Sequence, residues 1–385
     1  MDSLGVYVHI PFCVQKCAYC DFLSAPATRE KQQAYMKALK KEITCESSSY
    51  ADYEIKTIFF GGGTPSILKA EDIGEILDCI RKHYRIDKDA EITLEMNPGT
   101  ATREKLTALK KAGINRLSIG LQSADNTELQ MLGRIHTYED FLKTYHDARE
   151  TGFHNINVDL MSALPGQSME IWIQTLEKVL ALAPEHLSAY SLIIEEGTRL
   201  FDRINEFPPI PDEDEDRRMY QETKRILAEH GYQRYEISNY ARAGRECRHN
   251  MIYWQRGMGH TADYVGFGLG AASTVKNMRW KNTDDMKKYL LAFDGEKAQE
   301  IKEDIEKLSE NDCMEEFMFL GLRMMCGVSK SEFQKSFGQN MDDVYGAVIQ
   351  KWVGQGMLAQ QGDYIMLTDA GIDVSNVVLA DFLLE

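Results

Sequence analysis

Three cysteines, Cys13, Cys17 and Cys20, lie in one short segment immediately after a run of β-branched and aromatic residues. An odd number of closely spaced thiols is a poor disulfide framework, whereas converging thiolates suit a soft metal centre. Three thiolates could hold three irons of a four-iron cluster and leave the fourth iron for a ligand that is not protein. Zinc bound by these thiolates and a distant His or Cys is the alternative that the spacing leaves open.

A glycine-rich stretch, residues 61–65 (Gly-Gly-Gly-Thr-Pro), follows a run at 54–60 that is predicted to be a buried strand. Because glycine has no side chain, the backbone N–H groups of Gly62 and Gly63 could approach a ligand closely. A tight turn without a ligand is the other interpretation of consecutive glycines. Four polar side chains also end or follow predicted strands: Glu95, Gln122, Arg134 and Asp159. Carboxylates can hold hydroxyl groups or an ammonium, and an arginine can bind a carboxylate through two hydrogen bonds.

Strands and helices alternate along the first half of the chain. Strands are predicted at 5–10, 54–60, 91–95, 115–120, 154–160 and 186–193, and helices at 29–44, 71–84, 103–112, 138–151 and 168–183. This alternation favours parallel strands joined by helical crossovers. The polar clusters follow strand ends, which places them on one rim of a βα barrel, whereas a doubly wound sheet would gather them at its switch point. The sequence therefore favours an α/β fold with a partial (β/α)6 TIM-like barrel, since only about six units are visible.

The chain is expected to form three parts: the barrel at 1–205, an extension that closes its open side at 206–305, and a small domain at 306–385. In the small domain, helices are predicted at 315–325, 330–337 and 342–355, followed by a hairpin at 358–367. Helices followed by a hairpin are typical of a winged-helix-like domain. Because this part lacks clustered Lys and Arg, we interpret it as a packing or partner module and not as a DNA-binding domain.

The charge and hydropathy of the chain limit which kinds of molecule it is expected to bind. Among 385 residues, 44 Lys and Arg stand against 60 Asp and Glu, and the net charge of −16 argues against general binding of nucleic acid. No apolar run approaches the roughly 20 residues that span a bilayer, and no signal peptide is visible. The eight cysteines are therefore expected to be reduced, in the cytoplasm. Four of them are interpreted as inert, while the role of Cys247 stays open; the four are Cys45, Cys79, Cys313 and Cys326.

The segment Cys13-x3-Cys17-x2-Cys20, with Tyr19 before the last thiol, resembles the signature of the radical S-adenosylmethionine (SAM) superfamily. The stretch at 61–65 is similar to that superfamily's motif for the SAM amino group. The resemblance implies a partial barrel of the radical SAM type, in which the cysteines hold three irons of a 4Fe-4S cluster and SAM chelates the fourth. The positions that match the family's SAM contacts are Tyr7, Gly62, Gly63, Thr64, Glu95, Gln122, Arg134 and Asp159.

Further phrases are similar to the branch that contains oxygen-independent coproporphyrinogen III dehydrogenase; they lie at 7–13, 95–98, 118–122, 132–134 and 159–165. That branch also contains the HemW-type haem chaperones, which bind haem and hand it to other proteins. Two features favour the chaperones. Phe22 stands where the dehydrogenase has a further Cys, and almost no arm precedes the first strand. The dehydrogenase, which decarboxylates porphyrinogen propionates oxidatively, stays the alternative function.

The segment His249-Asn250-x-x-Tyr253-Trp254 resembles the haem motif of the chaperones. An imidazole can be an axial ligand of haem iron, and aromatic rings offer flat apolar faces to a porphyrin. An aromatic core cluster with a hydrogen-bonded histidine is the alternative, and Cys247 and Tyr253 are second-choice ligands. The resemblance also implies haem-accepting respiratory proteins as partners, exchange between monomer and homodimer, and peripheral association with a membrane. Relatives often carry a His where this chain has Ala272, so no contact is expected there.

Overall fold

The protein is an α/β chain in which a large sheet carries helices on one side and a small second sheet belongs to the C-terminal region. The computed structural model describes residues 1–256, 262–295 and 300–384. The strands are β1 (Asp2–Ile10), β2 (Tyr53–Gly62), β3 (Ile86–Met96), β4 (Arg116–Gln122), β5 (Ile156–Ser162), β6 (His186–Ser191), β7 (Gln233–Arg234), β8 (Asn239–Ala241), β9 (Ala262–Phe267), β10 (Ala272–Val275), β11 (Met278–Asn282), β12 (Lys302–Lys307), β13 (Val328–Ser329), β14 (Leu358–Gln361) and β15 (Tyr364–Leu367).

Helices connect most of these strands. They are α1 (Arg29–Glu46), α2 (Ala70–His83), α3 (Arg103–Ala112), α4 (Asn126–Met131), α5 (Tyr138–Glu150), α6 (Met169–Leu180), α7 (Arg199–Asp202), α8 (Glu213–Glu229), α9 (Arg248–Trp254), α10 (Met286–Ala292), α11 (Glu310–Gly321), α12 (Lys330–Phe337), α13 (Met341–Gly354), α14 (Asp369–Asp373) and α15 (Ser375–Ala380). Their ends follow local chemistry. In α3, for example, the Thr102 side chain caps the first turn and Gly113 ends the helix with a left-handed φ of 109°.

Six parallel strands, β1 to β6, lie side by side in chain order, as the strand–helix alternation predicts. The partial barrel of the radical SAM type is therefore confirmed. The sequence did not predict the strands of the extension. β9 adds a seventh parallel strand beside β1, and β10, β11 and β12 continue this edge antiparallel, while β8 and β7 extend the opposite edge beyond β6.

The two faces of the sheet differ because side chains alternate along each strand. In β1, Val6 and Val8 are fully buried in the main hydrophobic core, on the helix side. Tyr7 points the other way, into the barrel interior, where its ring stacks against Phe59 of β2 and His249 of α9. The interior is therefore lined by polar and aromatic side chains, and the apolar core lies outside it.

Helix α9 packs inside this barrel, against β2 and β9. The carboxylate of Glu91 accepts hydrogen bonds from the backbone N–H groups of Arg248 (3.2 Å) and His249 (3.1 Å), at the first turn of the helix. A negative charge at this end is favourable because the first N–H groups of a helix have no partner within it. A strand residue thus holds the start of the helix that carries the predicted haem motif.

The C-terminal region has its own hydrophobic core, which includes Phe317, Phe333, Tyr345 and Ile365. Helices α11 to α13 precede the β14–β15 hairpin, and the small sheet has the order β13, β15, β14. This is the predicted winged-helix-like arrangement, and α12 spans the predicted residues 330–337. Among the described residues, no helix is long and apolar enough to cross a membrane.

Candidate cluster and SAM site

A cavity of about 340 Å³ opens at the carboxyl ends of the barrel strands. It collects most of the residues that the sequence selected from separate strands: Cys13, Cys17, Cys20, Gly62, Gly63, Thr64, Glu95, Gln122, Arg134, Asp159 and Asn250 all line it. Its wall also includes residues that were not selected: Asn97, Ser118, Ser188, Tyr190 and Asn239. Asn97 directly follows β3 and Tyr190 lies near the end of β6, so their strand-end positions were the available signal, since parallel strands bring their carboxyl ends to one rim. The other three lie within or at the start of their strands and carried no such signal.

The cysteine loop has little regular structure but is held by backbone hydrogen bonds to three neighbouring segments. Cys13 donates to the carbonyl of Ala25 (3.2 Å), and Ala18 donates to that of Leu132 (2.9 Å). The carbonyl of Ala18 accepts in turn from the N–H of Leu200, at 2.8 Å. Because these bonds involve only the backbone, the thiols remain available to a ligand.

Hydrogen-bond donors lie beside two of the thiols. Oγ1 of Thr64 is 3.6 Å from Sγ of Cys13, and Nη1 of Arg134 is 3.6 Å from Sγ of Cys17. Asn97 joins the two donors: its Nδ2 donates to Thr64 Oγ1 at 3.0 Å, and its Oδ1 accepts from Arg134 Nη2 at 2.8 Å. Donors aimed at sulfur stabilise thiolates, so this arrangement suits an iron–sulfur cluster.

The cysteine sulfurs do not surround a single ion position. Within 1–256, 262–295 and 300–384, no three His, Cys, Asp or Glu side chains are grouped as ligands of one metal ion. This spacing is compatible with a four-iron cluster, in which each thiolate binds a different iron. Burial raises the pKa of the Cys20 thiol, and a bound metal would favour its thiolate.

Glycine is required in this stretch because the backbone of Gly63 lies very close to the backbone of Ile10 and Phe12. A side chain at Gly63 would place its Cβ 2.6 Å from the carbonyl oxygen of Phe12 and 3.0 Å from that of Ile10. The N–H of Gly63 donates to this Ile10 carbonyl at 2.9 Å. The stretch therefore joins β2 to the start of the cysteine loop. This packing requirement for glycine differs from both interpretations based on the sequence, which were approach to a ligand and a tight turn.

Two carboxylates, Glu95 and Asp159, face the cavity. Burial within the barrel and the nearby Asp159 raise the pKa of Glu95 to about 8, although Glu95 accepts a hydrogen bond from the N–H of Gly62 (3.2 Å). Burial also raises the pKa of Asp159, against hydrogen bonds from Ser118 (3.1 Å) and Asn157 (2.7 Å). Two enclosed carboxylates of this kind favour a cationic ligand, which would stabilise their ionised forms.

Gln122 and Arg134 complete the wall. Gln122 ends β4 with a left-handed φ of 75°, and the register with β5 shifts between Gly120 and Gln122. A positive φ in a non-glycine residue is uncommon and marks local strain. The Gln122 side chain lines the cavity. Nη2 of Arg134 donates to the carbonyl of Gly120 at 2.5 Å, so the guanidinium is held between the strand end and the cysteine loop.

Tyr7, predicted from the resemblance to contact SAM, does not line this cavity among the described residues. Its hydroxyl lies 3.1 Å from Nδ1 of His9, and burial raises its pKa well above the usual value. Nε2 of His9 lies 2.9 Å from the carbonyl of Leu23, which follows the cysteine loop. Tyr7 is therefore linked through His9 to the segment that follows the cysteine loop, beside the cavity.

The predicted haem motif divides between the cavity and the barrel interior. Asn250 lines the cavity, whereas His249 is buried with its Nδ1 2.7 Å from Thr57 Oγ1 and its Nε2 2.9 Å from the Tyr253 hydroxyl. Burial, followed by the charge of Arg116, lowers the pKa of His249 to about 3. The imidazole is therefore neutral and both of its nitrogens have partners.

The other members of the motif are partly buried. The Tyr253 ring packs edge-on against Tyr264, with centroids 4.7 Å apart. The guanidinium of Arg323 lies 4.4 Å from the Trp254 ring, which joins α9 to the C-terminal region. Cys247 is fully buried, and burial raises its pKa to about 12, which opposes formation of a thiolate. Ala272 is exposed at the start of β10 and opposite Lys281.

The comparisons with known proteins agree with this fold. Residues 7–179 match the family model described as the Radical SAM superfamily, and residues 308–374 match the one described as the HemN C-terminal domain. The solved structure of coproporphyrinogen III oxidase (HemN) from Escherichia coli has a TM-score of 0.86 and covers 99% of this chain and 90% of its own. Its sequence identity is 24%, so this likeness shows the fold: that of a radical SAM protein.

Curated relatives define the family more narrowly. The heme chaperone HemW of Bacillus subtilis is 35% identical over 99% of both chains, and that of Lactococcus lactis is 36% identical over 99% of this chain and 97% of its own. The heme chaperone HemW of Escherichia coli is 35% identical over 100% of this chain and 99% of its own. The chain belongs to the HemW family.

Proposed function

We propose that this protein is a haem chaperone that binds haem and transfers it to acceptor proteins, and that it carries a 4Fe-4S cluster with SAM as the ligand of the fourth iron. The observation that carries the proposal is one cavity, in a chain of the HemW family, that unites three thiols with two carboxylates, a glycine stretch and an arginine. Residues from four different strands and two loops meet there, which chance would rarely produce.

We assign the cluster to Cys13, Cys17 and Cys20, with Thr64 and Arg134 as donors to sulfur. Such a cluster with bound SAM supplies one-electron chemistry at the sulfonium centre. The residues of this chain bind and orient SAM, and they exclude water from the cavity. We assign the SAM contacts to a set that binds its amino, carboxyl and ribose groups, with Tyr7 supporting the wall: Gly62, Gly63, Thr64, Glu95, Gln122, Arg134 and Asp159.

We also propose that the segment from His249 to Trp254 takes part in haem binding. In the conformation described here, His249 could ligate iron only after one of its hydrogen bonds, to Thr57 or Tyr253, is broken. Asn250 already faces the cavity, so the same short helix contacts both sites. Haem binding at this segment would therefore be coupled to movement of α9 and to the SAM site.

The proposed setting is the cytoplasm, with haem-accepting respiratory proteins as recipients. Exchange between monomer and homodimer and peripheral association with a membrane belong to the same proposal. The acidic net charge of −16 disfavours the surface of an anionic bilayer by simple electrostatics, so a membrane-bound recipient would have to supply specific contacts.

The alternative function is oxygen-independent dehydrogenation of coproporphyrinogen III, with which the HemN-like fold is also compatible. One experiment separates the chaperone from the dehydrogenase. The cluster is reconstituted anaerobically, and the same preparation is then used for haem titration, for haem transfer to an apo-acceptor and for a porphyrinogen decarboxylation assay. We expect stoichiometric haem binding, transfer to the acceptor and no decarboxylation. Steady conversion of coproporphyrinogen III without stoichiometric haem binding would reject the chaperone proposal in favour of the enzyme.

A further inference from the structure

Helix α9 carries the predicted haem motif and also forms part of the wall of the SAM cavity. His249 and Asn250 are neighbours on this helix, so their side chains point in directions roughly 100° apart. His249 lies in the barrel interior, with Nδ1 2.7 Å from Thr57 Oγ1, whereas Asn250 lines the cavity. One short helix therefore presents adjacent side chains to the proposed haem and SAM functions.

The carboxamide of Asn250 is half-buried and makes no hydrogen bond with any described residue. Other amide side chains of the cavity wall are engaged. Gln122 accepts a hydrogen bond from the Tyr190 hydroxyl at 3.4 Å, and Nδ2 of Asn239 donates to Glu236 at 2.5 Å. A carboxamide offers both N–H donors and a carbonyl acceptor, so an unengaged one in a cavity wall suits a ligand that presents the complementary pair.

The adenine of SAM presents such a pair. Its amino group donates, a neighbouring ring nitrogen accepts, and an asparagine can bind this edge through two hydrogen bonds. In the proposed site, the amino and carboxyl groups of SAM are at the fourth iron, and the adenine is the other end of the molecule. Asn250 comes from the extension and not from the segments that hold the cluster, so its carboxamide is available to the base.

Haem needs α9 in a different position. The exposed fraction of His249 is only 1%, and its ring stacks on Phe59 with centroids 5.1 Å apart. The hydrogen bond from His249 to Thr57 ties the helix to β2, whereas the partner of Nε2, Tyr253, belongs to the same helix. Haem iron can therefore reach the imidazole only if α9 moves away from β2. Because Asn250 is the next residue of the helix, this movement would also take its carboxamide away from the cavity.

We propose that SAM hydrogen-bonds Asn250 through its adenine and thereby holds α9 in the conformation that buries His249, so that SAM and haem oppose each other's binding. A ligand shifts a conformational equilibrium by the difference between its affinities for the two states. SAM favours the state with Asn250 at the cavity, and haem favours the state with His249 released. The factor must be the same in both directions, because linkage between two sites is reciprocal. The inference rests on the proposed function and defines how its two ligands affect each other.

The test is titration of ferric haem into the full chain with a reconstituted cluster, with and without saturating SAM. The cluster is kept oxidised, because cleavage of SAM needs an electron from it. We expect SAM to raise the dissociation constant of haem by about tenfold, and haem to raise that of SAM by the same factor. Asn250→Ala should weaken SAM binding and bring the ratio of the two haem constants, measured with SAM saturating the variant, close to one. Asn277→Ala, exposed in the turn between β10 and β11, is the matched control and should keep the wild-type ratio.

Thr57→Val tests the same helix from the barrel side. It removes the hydrogen bond that ties α9 to β2, so haem should bind about two- to tenfold more tightly, as expected for one hydrogen bond. Haem binding no tighter than in the wild type would overturn this inference. Equal haem affinity with and without SAM in the wild type, or a wild-type ratio in Asn250→Ala, would also overturn it and leave the proposed function standing. A wild-type protein that binds no haem stoichiometrically would overturn both.

Discussion

Nδ1 of His249 lies 2.7 Å from the hydroxyl oxygen of Thr57, across the interior of the barrel. The hydrogen bond joins α9, which lies within the extension at 206–305, to a strand of the radical SAM domain nearly 200 positions earlier in the chain. The ring also stacks on Phe59, with centroids 5.1 Å apart. The histidine that the motif assigns to haem is therefore part of the packing that holds α9 beneath the SAM cavity.

This burial makes the stability of the apoprotein depend on pH. The pKa of His249 is about 3 in the folded chain, against an ordinary value near 6.5 in the unfolded chain, so only the unfolded state takes up the proton between these values. Stability from the neutral ring is complete above pH 6.5 and is lost as the pH falls towards 3. Between pH 7.5 and pH 5, the wild type should lose about 2 kcal/mol more than His249→Gln, measured by urea unfolding. Equal losses in the two proteins would contradict the assigned burial of the imidazole.

The cluster assignment predicts a selective effect of cysteine substitution. Cys13→Ser, Cys17→Ser or Cys20→Ser should each strongly lower iron and sulfide content after anaerobic reconstitution, because no other thiols line the described cavity. Cys45→Ser and Cys326→Ser, at exposed positions, are the controls and should keep the wild-type content. Iron and sulfide near wild-type levels in the triple variant would show that the cluster lies elsewhere.

Gly63 should not accept a side chain. In Gly63→Ala, the Cβ atom would lie 2.6 Å from the Phe12 carbonyl oxygen, so the start of the cysteine loop must move. We expect loss of about 1–3 kcal/mol of stability, the usual cost of overpacking, and poorer cluster assembly. Thermal unfolding and iron content measure the two effects. Gly74→Ala, in the middle of α2 with its nearest neighbour 3.8 Å away, is the control and should be neutral or slightly stabilising.

Glu95 should make SAM binding release a proton. Its pKa of about 8 keeps it mostly protonated at neutral pH, and the positive charge of SAM favours the carboxylate. Affinity should therefore rise between pH 6 and pH 8, by at most about tenfold per pH unit, and level off above. Calorimetry in two buffers of different ionisation enthalpy counts the released protons. Glu95→Gln should release fewer protons than the wild type, while Glu104→Gln, on the surface, should not differ; equal release in Glu95→Gln would contradict the assignment.

The regular part of the fold could be predicted from the sequence because its signals are local. The apolar periodicity of β1 to β6, the glycine at 113 and the turn after β14 each depend on neighbouring residues, and the corresponding elements were found. The strands β9 to β12 were missed for the opposite reason. They are short, and each forms by pairing with an edge that is distant or only just completed: β9 adds to the free edge of β1, and β10, β11 and β12 then each add to the strand before it.

The functional residues also divide into those that the sequence could predict and those that only the tertiary structure explains. The types and spacing of Cys13, Cys17 and Cys20, together with the glycine stretch and the polar strand ends, were enough to indicate a cluster and SAM site and to select most of the residues that share one cavity. That result depends only on parallel strands placing their ends on one rim. The available lone pairs of the histidines depend instead on distant partners. Only the tertiary structure shows that Thr57 of β2 and Tyr253 of the same helix occupy both nitrogens of His249, because a hydrogen bond between residues as far apart in the chain as Thr57 and His249 leaves no pattern in its order.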